Sequence, residues 1–308
     1  QVIVSEAGHP LLGVRGGWEL LGYGQRELIR IQLAAGRITR TAVPALGSTG
    51  PVSFLAGPGV AIIRPLDGVP GYLVPDGRPA RRLPGALGHD GIVIQGPLPG
   101  QFWLEPGFGV PRLELVRADG SRTGVSLRLP PAGPWFPVSD GRGYALVTGG
   151  SSQLYDLVPG GRRRLAGTLL AAGPTRWLTA RCHGHNGCQG IVTDPVTGAS
   201  RVLPGLSVRL AGTPGVIAPD GSQAAVLTGR GRRVTLRLIS LASGTSRRIA
   251  VPLDQRSAGW QTLAWAPDSQ WLFVAAAHGT LTAVDARTGR PEGLGIRLPP
   301  VSQLAVAG

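Results

Sequence analysis

Leu263-Ala264-Trp265-Ala266-Pro267-Asp268-Ser269, then Trp271-Leu272-Phe273-Val274, then Leu281-Thr282-Ala283-Val284-Asp285-Ala286-Arg287-Thr288-Gly289 is the stretch that decides the fold. Two short apolar runs flank a Pro-Asp-Ser turn, and a third runs into a glycine turn that sends the chain back again. Asp offers an acceptor to the turn's own N–H groups, and Gly tolerates the positive φ that tight turns demand. The stretch therefore predicts four antiparallel strands, a to d, with a tight a-to-b turn, a b-to-c loop and a glycine c-to-d turn. The same c-to-d turn recurs at Ala35-Gly36, Asp76-Gly77, Asp119-Gly120, Gly160-Gly161, Thr197-Gly198 and Ser243-Gly244. Successive second-position glycines lie 41, 43, 41, 37, 46 and 45 residues apart. That spacing is the period of a four-stranded propeller blade.

The expectation is an all-β, single-domain, seven-bladed β-propeller of four-stranded antiparallel blades. Its blades would span about 1–47, 48–86, 87–131, 132–168, 169–206, 207–254 and 255–308. Strand b is a compact apolar run in each repeat, for example Ala61 to Ile63, Phe102 to Leu104 and Ala224 to Leu227, as fits the buried middle of a blade. Pairing of N- and C-terminal strands is expected to close the ring. Either Leu11 to Val14 or the tail Ser302 to Val306 would supply the inner strand.

Trp265-Ala266-Pro267-Asp268-Ser269 and Val284-Asp285-Ala286-Arg287-Thr288-Gly289 resemble the repeats of bacterial TolB-like, YVTN-like and WD40-like propellers. The resemblance covers the chain as a rhythm and the last two blades as a motif. It implies a fold rather than an activity.

The 49 Gly and 28 Pro among 308 residues suit many short strands, and 42% hydrophobic content argues against disorder. No run of about 18 apolar residues occurs, so any membrane anchor is expected outside this chain. The chain starts at Gln1 and lacks Met, which a removed leader or a trimmed sequence would explain. All 31 basic residues are Arg, a bias of GC-rich coding such as an actinobacterium's, which weakens a functional reading of the net charge of +14.

Three arginine clusters, Arg81-Arg82, Arg162-Arg163-Arg164 and Arg247-Arg248, fall on outermost strands, where charge blocks edge-to-edge pairing. Arg230, Arg232 and Arg233 differ because they occupy a b-to-c loop. The b-to-c and d-to-a loops share one propeller face, where ligands usually bind. Cys182 and Cys188 end and begin adjacent strands, within reach of a disulfide and so of an oxidising compartment. The competing reading is zinc held by both thiolates with His183 or His185, although no second short-spaced pair is present. His9, His89, His183, His185 and His278 all fall on the same face, together with Asp67, Glu105, Asp90 and Asp254. Trp18, Trp103, Trp177 and Trp271 are expected between blades, whereas Trp135 and Trp260 could reach the face. No Gly-x-Ser-x-Gly elbow, phosphate-cradling Gly-x-x-x-x-Gly-Lys or His-Glu-x-x-His occurs.

The leading expectation is a non-catalytic extracytoplasmic scaffold or sensor domain that needs no cofactor. Its recognition face would carry His183, His185, Arg230, Arg232, Arg233, Trp135 and Trp260. Its partner would be a protein or an anionic envelope ligand rather than nucleic acid, and the chain itself a monomer. The competing class is a lyase or hydrolase assisted by a divalent metal, with His89, His278, Asp67 and Glu105 at the channel mouth.

Overall fold

A computed structural model describes residues 1–44, 52–57, 59–65, 70–83, 91–106, 110–130, 136–148, 153–182, 188–204, 206, 213–230, 233–259 and 261–308. The chain opens with β1 (Val2–Glu6), β2 (Glu19–Gly24), β3 (Glu27–Gln32) and β4 (Arg37–Ala42). A second sheet holds β5 (Val52–Gly57), β6 (Val60–Pro65), β7 (Tyr72–Pro75) and β8 (Arg81–Arg82). The third contains β9 (Val93–Gln95), β10 (Gln101–Leu104), β11 (Arg112–Arg117) and β12 (Arg122–Arg128). In the fourth are β13 (Phe136–Ser139), β14 (Ala145–Thr148), β15 (Leu154–Val158) and β16 (Gly161–Leu165). One larger sheet follows, with β17 (Thr168–Ala172), β18 (Trp177–Cys182), β19 (Cys188–Thr193), β20 (Ser200–Leu203), β21 (Gly215–Ile217), β22 (Gln223–Arg230), β23 (Arg233–Ser240) and β24 (Ser246–Ile249). The last sheet is β25 (Leu263–Trp265), β26 (Trp271–Ala275), β27 (Leu281–Asp285) and β28 (Pro291–Gly293), after which β29 (Gln303–Ala307) returns to the first.

The glycine turns do what their chemistry predicts. Gly36, Gly77, Gly120, Gly198, Gly244 and Gly289 all have positive φ, while at the fourth turn Gly160 takes that role instead of Gly161. Two turns share a second device. The Asp194 carboxylate accepts the backbone N–H of Val196 and Thr197, and Asp285 does the same for Arg287 and Thr288. These N–H groups, Thr197 first for Asp194 and Thr288 first for Asp285, hold both carboxyls below the usual range.

The expectation of seven separate blades is corrected. Five sheets stand apart as blades, and the segments expected to form the fifth and sixth join in one curled eight-stranded sheet, β20-β19-β18-β17-β21-β22-β23-β24. The junction is a parallel pairing of two inner strands, Ala171 with Gly215 and Ala172 with Val216. Small residues allow it: a Cβ on Gly173 would stand 2.7 Å from the Cβ of Ile217.

Closure falls to the tail. β29 pairs antiparallel with β2 from Glu19–Ala307 to Tyr23–Gln303, giving the first sheet the order β1-β4-β3-β2-β29. Leu11 and Val14, the other candidates for that inner strand, form no strand but are buried between the first and last sheets. β1 becomes a mostly exposed fifth strand on the outer edge. Successive sheets pack through clusters of Leu, Ile, Val and aromatic residues, among them buried Trp18, Trp103 and Trp177, with Trp271 half-buried. Among the described residues no helix is long and apolar enough to cross a membrane.

Candidate functional site

The inner strands of every sheet surround a central cavity of about 410 Å³. Leu55, Val93, Val138, Ile217, Trp265 and Leu304 make its wall largely apolar, and no described lining residue is titratable. Gln261 spans one side, with φ of 56°. Its carboxamide accepts from the Phe54 N–H at 3.0 Å and donates to the Phe54 carbonyl, pairing with the inner edge of the second sheet as a strand residue would.

The polar groups converge off the axis, between the last sheet and the first. Four loops meet there around a pocket of about 350 Å³: β2–β3 brings Gln25, the segment before β25 brings Asp254, Arg256 and Ser257, β26–β27 brings His278, and the segment before β29 brings Pro300 to Ser302. All are b-to-c or d-to-a connections. Local backbone chemistry sets the rim. Gln25 and Arg26 fill a two-residue hairpin turn with φ of 48° and 65°, and the exposed His278 has φ of 60°. Gly24 permits the close packing, since a Cβ there would lie 2.2 Å from the Pro300 carbonyl oxygen.

The pocket's carboxylate is already committed. Asp254 accepts the Ser257 N–H at 2.9 Å and the Ser257 hydroxyl at 3.1 Å. Burial raises its pKa, but these bonds, with those from the backbone N–H groups of His278 and Arg256, prevail and hold it below the usual carboxylate range. Gln25, Arg256 and His278 remain exposed, whereas the Ser302 hydroxyl already donates to the Tyr23 carbonyl at 3.0 Å. The pocket thus presents mainly hydrogen-bond donors, suited to a ligand rich in acceptors.

Of the sequence candidates, His278 lies in this pocket and Glu105 does not. Glu105 follows β10 in the third sheet, where its carbonyl accepts from the buried Arg64 guanidinium at 2.9 Å. Arg230 and Arg233 are cross-strand partners at the end of the β22–β23 hairpin, whose eight-residue strands carry the exposed Arg233. His183, His185, Arg232, Trp135, Trp260, His89 and Asp67 lie outside the described residues. Among the described residues no group of three or more His, Cys, Asp or Glu could hold a metal ion. Sequence reasoning passed over Arg256 and Ser257. The available signal was Asp254-Gln255-Arg256-Ser257, an Asp three residues before a Ser, the spacing of a side-chain-capped turn.

Cys182 and Cys188 are joined in a disulfide across the β18–β19 pair, which settles that pair against zinc ligation. Replacing both by Ser should lower stability by ~2 kcal/mol, the loop-closure value for so short a ring. Urea unfolding measures the loss, and a thiol titration of native, unreduced protein should read zero.

No protein-family model matches this sequence, and neither does any curated protein. Solved structures do match. A functionally unknown protein from Desulfotomaculum acetoxidans superposes with TM-score 0.60 at 13% identity, over 94% of this chain and 98% of that one. The Cps50 (Swd1) β-propeller domain of Myceliophteria thermophila gives TM-score 0.51 at 12% identity, over 82% and 89%. The fold is a β-propeller. An oligogalacturonate lyase in complex with manganese also matches, with TM-score 0.55 at 13% identity over 94% and 89%. At such identities the likeness of the propeller extends to the fold alone.

Proposed function

We propose that this propeller is a non-catalytic binding scaffold acting outside the cytoplasm, with its b-to-c and d-to-a loops as the recognition face. The observation that carries the reading is the convergence of four such loops on a pocket whose exposed donors are Gln25, Arg256 and His278 and whose described acid is tied into its own turn. A rigid frame holds these groups in place before a ligand arrives, which lowers the ordering cost of binding. Arg233, exposed at the end of the β22–β23 b-to-c hairpin, extends the same face toward a protein or an anionic envelope ligand. The Cys182–Cys188 bridge supports an oxidising compartment.

The acid–base and metal alternative draws no comparable support. Its two described members, Glu105 and His278, belong to the third and last sheets, and the pocket around His278 does not include Glu105. Calorimetry with an acidic probe, poly-glutamate, tests the scaffold reading. Arg256→Ala with His278→Ala should weaken binding by about tenfold, the loss of one or two charge-assisted hydrogen bonds. Arg81→Ala with Arg82→Ala should leave it nearly unchanged. Equal losses in both pairs would reduce the interaction to bulk charge, and one equivalent of metal per purified chain would favour the enzyme.

A further inference from the structure

The inner strands of a propeller turn one edge toward the axis, so a row of backbone N–H and C=O groups faces the central cavity. Side chains of this protein take up several members of that row. The Gln261 carboxamide bonds both the N–H and the carbonyl of Phe54 on β5, and the Gln303 carboxamide donates to the Val52 carbonyl at 2.6 Å. The Ser53 hydroxyl serves β9, accepting from the Val93 N–H at 2.8 Å and donating to the Val93 carbonyl at 3.3 Å. The Trp265 indole N–H donates to the Val216 carbonyl of β21 at 3.2 Å, and β17 and β21 pair with each other directly. On β29 the Leu304 N–H donates to the Gln261 carbonyl. Each bond withdraws a polar group from the cavity.

What the side chains present instead is aliphatic. Leu55, Val138, Ala172, Val216 and Ala305 line the cavity, and each is half-buried and packed against an apolar cluster between sheets. A space of about 410 Å³ with such a wall suits an apolar occupant better than water. The lining covers at least three residues along β9 and β21, roughly 10 Å of strand, and continues to the turns at Gly141, Pro174 and Pro219, which favours an elongated chain. One end is polar. Gln95 closes β9 and Ser139 closes β13, the neighbouring inner strand, so both lie at the a-to-b turn end of the cavity. Among the described residues the half-buried Gln95 carboxamide makes no hydrogen bond. The Ser139 hydroxyl accepts from the Gly141 N–H at 3.1 Å and keeps its own proton to donate. Both groups are uncharged, and a charged head would find no counter-ion among the described lining residues.

We propose that the central cavity binds a neutral amphiphile, an unbranched alkyl chain with a hydroxyl head, its chain along the axis and its hydroxyl at Gln95 and Ser139. This site shares no residue with the loop-face pocket, so either can fail alone. Isothermal titration of the full chain with 1-decanol should show one saturable equivalent. Affinity should rise about fourfold per methylene from 1-hexanol to 1-decanol, the transfer gain of each buried CH₂. Val138→Phe with Ala305→Phe fills the cavity from the fourth and first sheets and should abolish binding while the thermal melt stays cooperative. Arg256→Ala with His278→Ala should leave 1-decanol affinity within about twofold, since neither residue touches the cavity. Gln95→Ala alters only the polar end and should weaken binding about fivefold, the loss of one neutral hydrogen bond; it decides the case if the filled variant does not fold. No saturable binding of 1-decanol, full-strength binding by a cooperatively folded filled variant, or unchanged affinity of Gln95→Ala would overturn the proposal.

Discussion

Removing Gln303 to Gly308 is expected to abolish cooperative folding of this chain. β29 is paired along all five residues with β2, and Leu304 is only 2% exposed between the first and last sheets. Its neighbours hold it from other directions. The Gln303 carboxamide donates to the Val52 carbonyl at 2.6 Å, and the Leu304 N–H donates to the Gln261 carbonyl at 2.7 Å. One fully buried Leu contributes roughly 1.5–3 kcal/mol and each ladder hydrogen bond about 1. The strand therefore supplies roughly 5 kcal/mol or more, a large share of the 5–15 typical of a whole domain. Its loss would also leave the inner edge of β2 unpaired, an open template for aggregation. Circular dichroism should show a broad, non-cooperative melt, and size exclusion should show aggregates. Deletion of Gln1 to Glu6 serves as the contrast. β1 is mostly exposed on the outer edge of the same sheet, so its loss should cost far less. A tail-truncated protein that melted like the full chain would refute this account of closure.

Asp140→Ala should destabilise the protein by roughly 3–5 kcal/mol, the usual cost of breaking a buried ion pair on one side. Asp140 is fully buried, and one carboxylate oxygen accepts the N–H groups of Arg142 and Tyr144 at 2.7 and 2.8 Å. The other accepts from the Arg142 guanidinium at 3.1 Å. That guanidinium crosses the seam to the Pro195 carbonyl at 2.8 Å and stacks 5.3 Å from the centre of the Trp177 ring. The Asp140 carbonyl accepts from the Trp177 indole N–H at 2.9 Å. One residue thus ties a turn of the fourth sheet to the core of the next. Nearby Asp156 belongs to the same network: its burial, with the Asp140 charge beside it, raises its pKa although Arg142 and Arg163 pull it down. Asp140→Asn keeps most acceptor capacity and should cost about 1–2 kcal/mol, roughly one hydrogen bond with partial loss of the ion pair. Urea denaturation distinguishes the two. Equal, small losses would show that Arg142 does not depend on Asp140.

Much of the blade was legible because its signals are local. Asp194, Asp285 and the positive-φ glycines act within a few residues, so a turn can be recognised without knowing what packs on it. Arginines on β8, β16 and β24 were placed on outermost strands for the same reason, since strand order within a blade follows the turns. Which side chains bond the inner edges was not readable. That depends on Ser53, Gln261 and Trp265 meeting strands of other sheets, and such residues look alike in the sequence wherever they point. Likewise Gln25, Arg256 and His278 are far apart in the chain and meet because the last sheet closes against the first.

The amino-acid order alone determined the repeated four-strand unit, the disulfide between adjacent strands and the charged outer edges, because hydrogen-bonded turns and period-two alternation are short-range. Tertiary packing alone decided three things: the merging of two repeats through Ala171 and Gly215, the strand that completes the first sheet, and the donors gathered at its seam. Each rests on contacts between sheets distant in the chain, whose spacing is set by the volumes packed between them rather than by any turn.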